Sequence, residues 1–198
     1  MIGIIDYKLN NLRSVQKAFE KVGTSAFISS DAKELSRAEK LVLPGVGAFG
    51  KAMENIRALG LEEFIRSSAK EGKPLIGICL GMQLLFTRSS ENGLHDGLNL
   101  IAGDVTLFPD SVKVPHIGWN QIEIQHESKI LKSVVDKSFV YFVHSYYAQP
   151  QEQVTVTTTE YGFPFASIVQ KDDVFGIQFH PEKSQVAGLQ ILKNFSEL

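Results

Sequence analysis

A single cysteine in 198 residues rules out an internal disulfide and a cysteine-built zinc cluster, and it suits a reducing compartment, so a cytoplasmic location is expected. Basic residues are not clustered: 20 Lys and Arg against 22 Asp and Glu leave a net charge of −2, and no nucleic-acid footprint is expected. Long apolar runs are missing too, so no segment is expected to span or anchor in a membrane. The N-terminal stretch MIGIIDYK lacks a basic region followed by a long apolar run and reads as a strand rather than a signal peptide. With no internal repeat, low-complexity tract or long linker, the economical reading is one domain over residues 1–198, long enough to bury a substantial core.

What is present alternates. Met1 to Asp6 is an apolar run ending in acid, after which Asn10 or Asn11 can cap a helix carrying Leu12, Val15, Ala18, Phe19 and Val22 on one face, with Gly23 as its stop. Ser25–Ile28 and Leu41–Leu43 read as strands, and Phe49–Ala58 and Leu61–Ala69 as helices separated by Gly60. Strands alternating with helices predict an α/β fold with a mostly parallel sheet. From Gly97 onward strands dominate: Val105–Phe108, Gln121–Ile124, Phe139–Val143, Val154–Thr159, Ala166–Val169 and Val174–Phe179, with a turn at Lys171-Asp172-Asp173 and a closing helix over Val186–Phe195.

The stretch KPLIGICLGMQ, Lys73 to Gln83, carries the chemistry. A short apolar strand (Leu75, Ile76, Ile78) runs into Cys79, and Met82, Leu84, Leu85 and Phe86 suit a buried helix after it. Gly77 and Gly81 bracket the cysteine at the spacing of a nucleophile elbow, where glycines let neighbouring backbone approach and leave the side chain accessible. The free N–H groups of the following helix favour thiolate.

A cysteine nucleophile needs a base, and the base an orienting group. Of the five histidines, His95 and His126 sit in polar surroundings and read as surface residues. His180 ends the apolar strand DVFGIQFH and precedes Pro181 and Glu182. Extended geometry before proline puts His180 and Glu182 on one side, with the carboxylate placed to hold one imidazole nitrogen while the other faces the thiol. Both Cys79 and His180 fall at strand carboxyl ends, where open α/β sheets place their sites.

These segments, GICLGMQLLF, QFHPEKS and the glycine turn PGVGAFG, resemble class I (triad) glutamine amidotransferases. PHIGWN (Pro115–Asn120) and FVHSYY (Phe142–Tyr147) narrow the resemblance to the glutaminase-subunit family of imidazole glycerol phosphate synthases. It spans nearly the whole chain, from DYKLNNL to HPEKS, and the order and spacing of the motifs make it specific. The resemblance implies a three-layer, flavodoxin-like fold with extra antiparallel strands in the C-terminal half. It implies Cys79 as nucleophile on the side-chain amide of glutamine, His180 as proton carrier and Glu182 as its orienter. The oxyanion donors it implies are the N–H of Leu80 and the Val46-Gly47 peptide, whose glycine permits a peptide flip. The glutamine pocket maps onto Gln83, Glu91 and the His144-Ser145-Tyr146 backbone, with Glu91 suited to the substrate ammonium.

A partner is implied as well, because ammonia released into water at neutral pH protonates and loses its nucleophilicity. In this family it passes directly to a (β/α)8 cyclase subunit in histidine biosynthesis, and Trp119, Asn120, Tyr141 and Lys183 occupy the positions that face it. No metal or organic cofactor is implied. One departure stands out: the family's first loop reads DYGxGN, whereas this chain has Asp6-Tyr7-Lys8-Leu9-Asn10-Asn11, and lysine accepts a positive φ less readily than glycine. Two alternatives remain open on the residues: a paralogous glutaminase feeding a cyclase-like synthase of amino sugars, and a stand-alone cysteine peptidase or γ-glutamyl hydrolase.

Overall fold

A computed structural model describes residues 1–9 and 11–198, so Asn10, one of the two expected helix caps, lies outside the described residues. The first half alternates as expected: β1 (Ile2–Ile5), α1 (Leu12–Lys21), β2 (Ala26–Ser29), a short α2 (Ala32–Leu35), β3 (Lys40–Gly45), α3 (Phe49–Ala58), α4 (Leu61–Lys70), β4 (Leu75–Cys79) and α5 (Leu80–Leu84). Then come β5 (Phe86–Ser89), β6 (His95–Asp96), β7 (Ile101–Leu107), β8 (His116–Gln121), β9 (Glu123–Ile124), β10 (Phe139–His144) and β11 (Tyr146–Pro150). The chain closes with β12 (Thr155–Glu160), β13 (Pro164–Lys171), β14 (Val174–Ile177) and α6 (Gln185–Ser196).

Among the described residues an eight-stranded sheet runs in the order β2-β1-β3-β4-β14-β13-β12-β9. It is parallel from β2 across to β14 and antiparallel beyond it. β1, β3, β4 and β14 are buried on both faces, the edge strand β2 only partly, and successive residues divide between two cores. Ile5, Leu41, Leu43 and Leu75 pack with Phe49, Met53, Ile56, Leu61 and Ile65 of α3 and α4. Ile4, Val42, Ile76 and Ile78 pack on the opposite face with Val15 and Phe19 of α1 and Ile191, Leu192 and Phe195 of α6. That is helix, sheet, helix: three layers whose period-two alternation is hidden in the sequence because both faces are apolar.

Two smaller sheets stand apart from this one, β11-β7-β5-β6 and the ribbon β10-β8. The first corrects the helix expected through Phe86. α5 ends at Leu84, because the carbonyls of Leu84 and Leu85 accept from the N–H groups of Leu98, Leu100 and Ile101 instead of from the next helical turn. An apolar run fits a buried strand as well as a buried helix, and the pairing partner decided it. β14 also stops earlier than expected, at Ile177, because the chain turns to dock on the ribbon, His180 N–H donating to Tyr141 O at 2.9 Å.

In the unusual first loop Lys8 keeps glycine-like geometry without glycine. Lys8 has φ 68°, and Asp6 holds it there, one carboxylate oxygen accepting from Lys8 N–H (2.8 Å) and the other from Nζ (3.0 Å). His95 is half-buried rather than a surface residue, its ring filling the space where Gly50 has no side chain, while His126 is exposed.

Candidate functional site

Cys79 sits between β4 and α5 at φ 55° and ψ −110°. A side-chain-bearing residue at positive φ carries strain on the order of 1–3 kcal/mol, and such strain clusters at reactive sites. The bracketing glycines make it possible: a Cβ on Gly77 would lie 2.5 Å from the Gly81 carbonyl oxygen, and one on Gly81 would collide with the carbonyl of Leu43. The elbow is therefore packed backbone on backbone, with the sulfur turned to a cavity of about 330 Å³. That volume lies at the lower end of small-molecule pockets, roughly 300–1,000 Å³.

The cavity wall holds Val46, Gly47, Leu80, Gln83, Glu91 and the His144-Ser145-Tyr146 stretch, joined by Pro115 and Val143, which the sequence did not single out. Gly47 has φ 111°, so the PGVG turn uses the conformational freedom of that glycine. Glu91 does more than face the cavity: one carboxylate oxygen accepts from Phe49 N–H at 2.6 Å, at the uncapped start of α3. Gln83 donates from Nε2 to the Tyr146 carbonyl (3.0 Å) and to Gln178 Oε1 (3.1 Å).

His180 and Glu182 meet beside the cysteine. Nδ1 lies 2.9 Å from Glu182 Oε1, and both side chains are 2% exposed. The link is not the extended run expected: His180 is extended, but Pro181–Lys183 forms a 3₁₀ turn that swings the carboxylate back. Burial disfavours the imidazolium, but the Cys79 side chain nearby and the Glu182 carboxylate outweigh that and raise the His180 pKa to about 9, while His180 Nε2 itself makes no hydrogen bond. Asn11 supplies an unforeseen contact. It takes the left-handed conformation (φ 93°) at the start of α1, and its side chain caps nothing but donates to Glu182 Oε1 at 2.7 Å.

Of the residues expected at a partner face, three gather. Trp119 is 47% exposed, and its ring meets that of Tyr141 edge-on at 5.9 Å. Lys183 Nζ stands 5.8 Å from the Tyr141 centroid. Asn120 is the exception, turned to the other side of the ribbon, where it donates to Glu160 O (2.9 Å) and meets His116 Nε2 at 3.3 Å. Strand alternation explains it, since neighbours on a strand point to opposite faces.

Residues 4–197 match the family model described as glutamine amidotransferase class-I. The chain belongs to the class-I glutamine amidotransferase family. Among relatives of this glutamine amidotransferase, one from Geobacter metallireducens is 51% identical over 98% of this chain and 97% of its own length. It is named imidazole glycerol phosphate synthase subunit HisH. One of the same name from Aquifex aeolicus is 52% identical over 97% of this chain and 94% of its own. A solved structure titled as a glutamine amidotransferase superposes with a TM-score of 0.79 at 16% identity, covering 100% of this chain and 99% of that one, which fixes the fold.

Asn11, His116 and Gln178 are the polar residues at the site that sequence reading left without a role there. Gln178 was within reach: it stands two residues before His180 in DVFGIQFH, the run that already pointed to the site. Asn11 meets a residue 171 positions away, and nothing local signals that.

Proposed function

We propose that this single-domain chain is the glutaminase subunit of an imidazole glycerol phosphate synthase. The thiolate of Cys79 adds to the side-chain amide carbon of glutamine. Its proton, held by His180, passes to the departing nitrogen, which leaves as ammonia and gives a thioester. Water, deprotonated by His180, cleaves the thioester to glutamate and restores the thiol. Glu182 keeps the imidazole in the working orientation and stabilises its charged form, and Asn11 steadies Glu182. Leu80 N–H and the Val46-Gly47 peptide receive the oxyanion. Glu91 offers its second carboxylate oxygen to the substrate ammonium.

The observation that carries the reading is a strained cysteine on the wall of a cavity, beside a buried histidine already held by a buried carboxylate. Full-length relatives at about half identity, named as subunits of that synthase, support the choice of partner. So does the ribbon: Ile117, Trp119 and Phe139 are 59%, 47% and 56% exposed on one face, with Tyr141 between them. Exposed apolar area of that kind is an interaction surface by default. The ribbon also touches the catalytic loop, because Tyr141 O accepts from His180 N–H and Tyr141 N–H donates to Ser184 Oγ. A (β/α)8 cyclase docked on this face would receive the ammonia before water protonates it.

The test is glutamate release at saturating glutamine from the chain alone, from its complex with the histidine-pathway cyclase, and from that complex with nucleotide ligand. A donor added to an oxyanion site changes rate by about 100- to 1,000-fold, so a large rise in the liganded complex is expected. Equal turnover in all three would overturn the coupling, and activation only by an amino-sugar synthase would reassign the partner.

A further inference from the structure

The two unassigned residues, His116 and Gln178, are the ends of one buried hydrogen-bond chain whose every polarity is fixed by its neighbours. His144 Nδ1 lies 2.8 Å from the Tyr146 carbonyl, which can only accept, so Nδ1 carries the hydrogen. In the neutral ring His144 Nε2 is then bare, and His116 Nδ1, 3.1 Å away, must donate to it. His116 Nε2 is bare in turn and accepts from Asn120 Nδ2, whose orientation is pinned because Asn120 Oδ1 accepts from Gln121 N–H at 2.8 Å.

At the other end the Tyr146 carbonyl takes a second donor, Gln83 Nε2, filling both lone pairs. The remaining Gln83 hydrogen goes to Gln178 Oε1, which turns the Gln178 amide nitrogen toward Cys79 Sγ, 3.9 Å away. Gln178 is 0% exposed. A buried amide aimed at a sulfur has no reason to be there for packing, since an apolar side chain would fill the space without a desolvation penalty.

We propose that Gln178 is a positioning residue for the nucleophile, and that the chain through Gln83, the Tyr146 carbonyl and the His144–His116 pair sets its orientation from the partner-facing strand β8. The inference rests on the glutaminase reading above. Gln178 N–H, 3.9 Å from the sulfur, stabilises the negative charge of the thiolate from which Cys79 reacts. The imidazoles are suited to this because burial holds both neutral, with pKa values lowered to about 4 for His116 and about 3 for His144. Protonation of either ring would leave two N–H groups facing each other. Asn120 shares its strand with Trp119, so a partner pressing on the outer face displaces the inner end of the chain as well.

Two readouts test this: the rate at which iodoacetamide alkylates Cys79 in the free chain, and kcat and KM for glutamate release in the cyclase complex. Gln178→Met keeps the volume and removes both hydrogen bonds. We expect alkylation and kcat to fall about tenfold with KM changed less than about twofold, the scale of one hydrogen bond to a charged group. His116→Phe keeps the ring stacked on Tyr161 and Phe142 but cuts the chain, and should act in the same direction by about threefold. His116→Asn loses the ring but keeps an N–H near the Nδ1 position, and should recover most of that loss. In the Gln178→Met, His116→Phe double variant the losses should not multiply.

Unchanged alkylation in Gln178→Met, a His116→Asn chain as slow as His116→Phe, or fully multiplicative losses would each overturn the proposal. Should Gln178→Met fail to fold, the two His116 variants decide it. Should the wild-type chain release no glutamate with any partner, the glutaminase reading falls, and the alkylation series still judges the chain of hydrogen bonds on its own.

Discussion

His180 and His144 are both buried, yet their pKa values part, one raised to about 9 and the other lowered to about 3. Burial pushes both down. The difference is what stands beside each ring: the Glu182 carboxylate on Nδ1 and the Cys79 side chain nearby for His180, a backbone carbonyl and a second imidazole for His144. The loop at the carboxyl end of β14 thus favours a charged imidazole, and the ribbon side of the cavity neutral ones. Identical side chains at similar depth favour opposite charge states because only one has an anion beside it.

Substitutions on the charged side should break this contrast hardest. Cys79→Ser should abolish glutamine-dependent synthesis while synthesis from free ammonia by the complex persists, since the hydroxyl is far less acidic and less nucleophilic than the thiol. A parallel loss of the ammonia-driven reaction would refute the division of labour. Glu182→Gln should cost about 10²- to 10⁴-fold in kcat, because it removes the charge that holds His180 in its working form. Steady-state kinetics at saturating glutamine measures it, and an unchanged kcat would remove Glu182 from the mechanism. Asn11→Gly keeps the left-handed conformation and deletes only the bond to Glu182. A loss of about tenfold in kcat with little change in KM is expected, the worth of one charge-assisted hydrogen bond.

The smallest effect lies in stability, and here the two sides should show opposite signs. An unfolded histidine titrates near 6.5. The folded pKa values of His116 and His144 lie below that, so their contribution is complete above pH 6.5 and lost as the pH falls toward 4. The folded pKa of His180 lies above it, so its contribution is complete below pH 6.5 and lost as the pH rises through about 9. Urea unfolding at pH 4.5, 6.5 and 9 should show His116→Phe flattening the acid decline by about 1–2 kcal/mol, and leaving the alkaline decline in place. If the variant altered the alkaline limb instead, the assignment of neutral and charged pairs would be reversed.

The residues of the elbow, the strand-to-helix alternation and the His180–Glu182 pairing were legible because each is local: a glycine bracket, a period, a spacing of two. Phe86 was misread because an apolar run between glycines fits either element. Pairing of the Leu84 and Leu85 carbonyls with the chain near residue 100, far from the elbow in sequence, settled it. Asn120 and Trp119 were both placed at the partner face by the family resemblance, and strand alternation points their side chains to opposite faces of the ribbon.

By itself the sequence determined the alternating α/β plan, the one residue able to be a thiol nucleophile, and the strained turn that displays it, since those depend on glycine placement and hydrophobic period. Tertiary structure alone decided which groups stand beside the buried histidines, and so which one carries charge. Asn11 reaches Glu182 across 171 residues, Gln83 reaches Gln178 across 95, and His116 reaches His144 across 28. Hydrogen-bond partners and dielectric surroundings are properties of positions in space, and a pKa follows them rather than the residue's place along the chain.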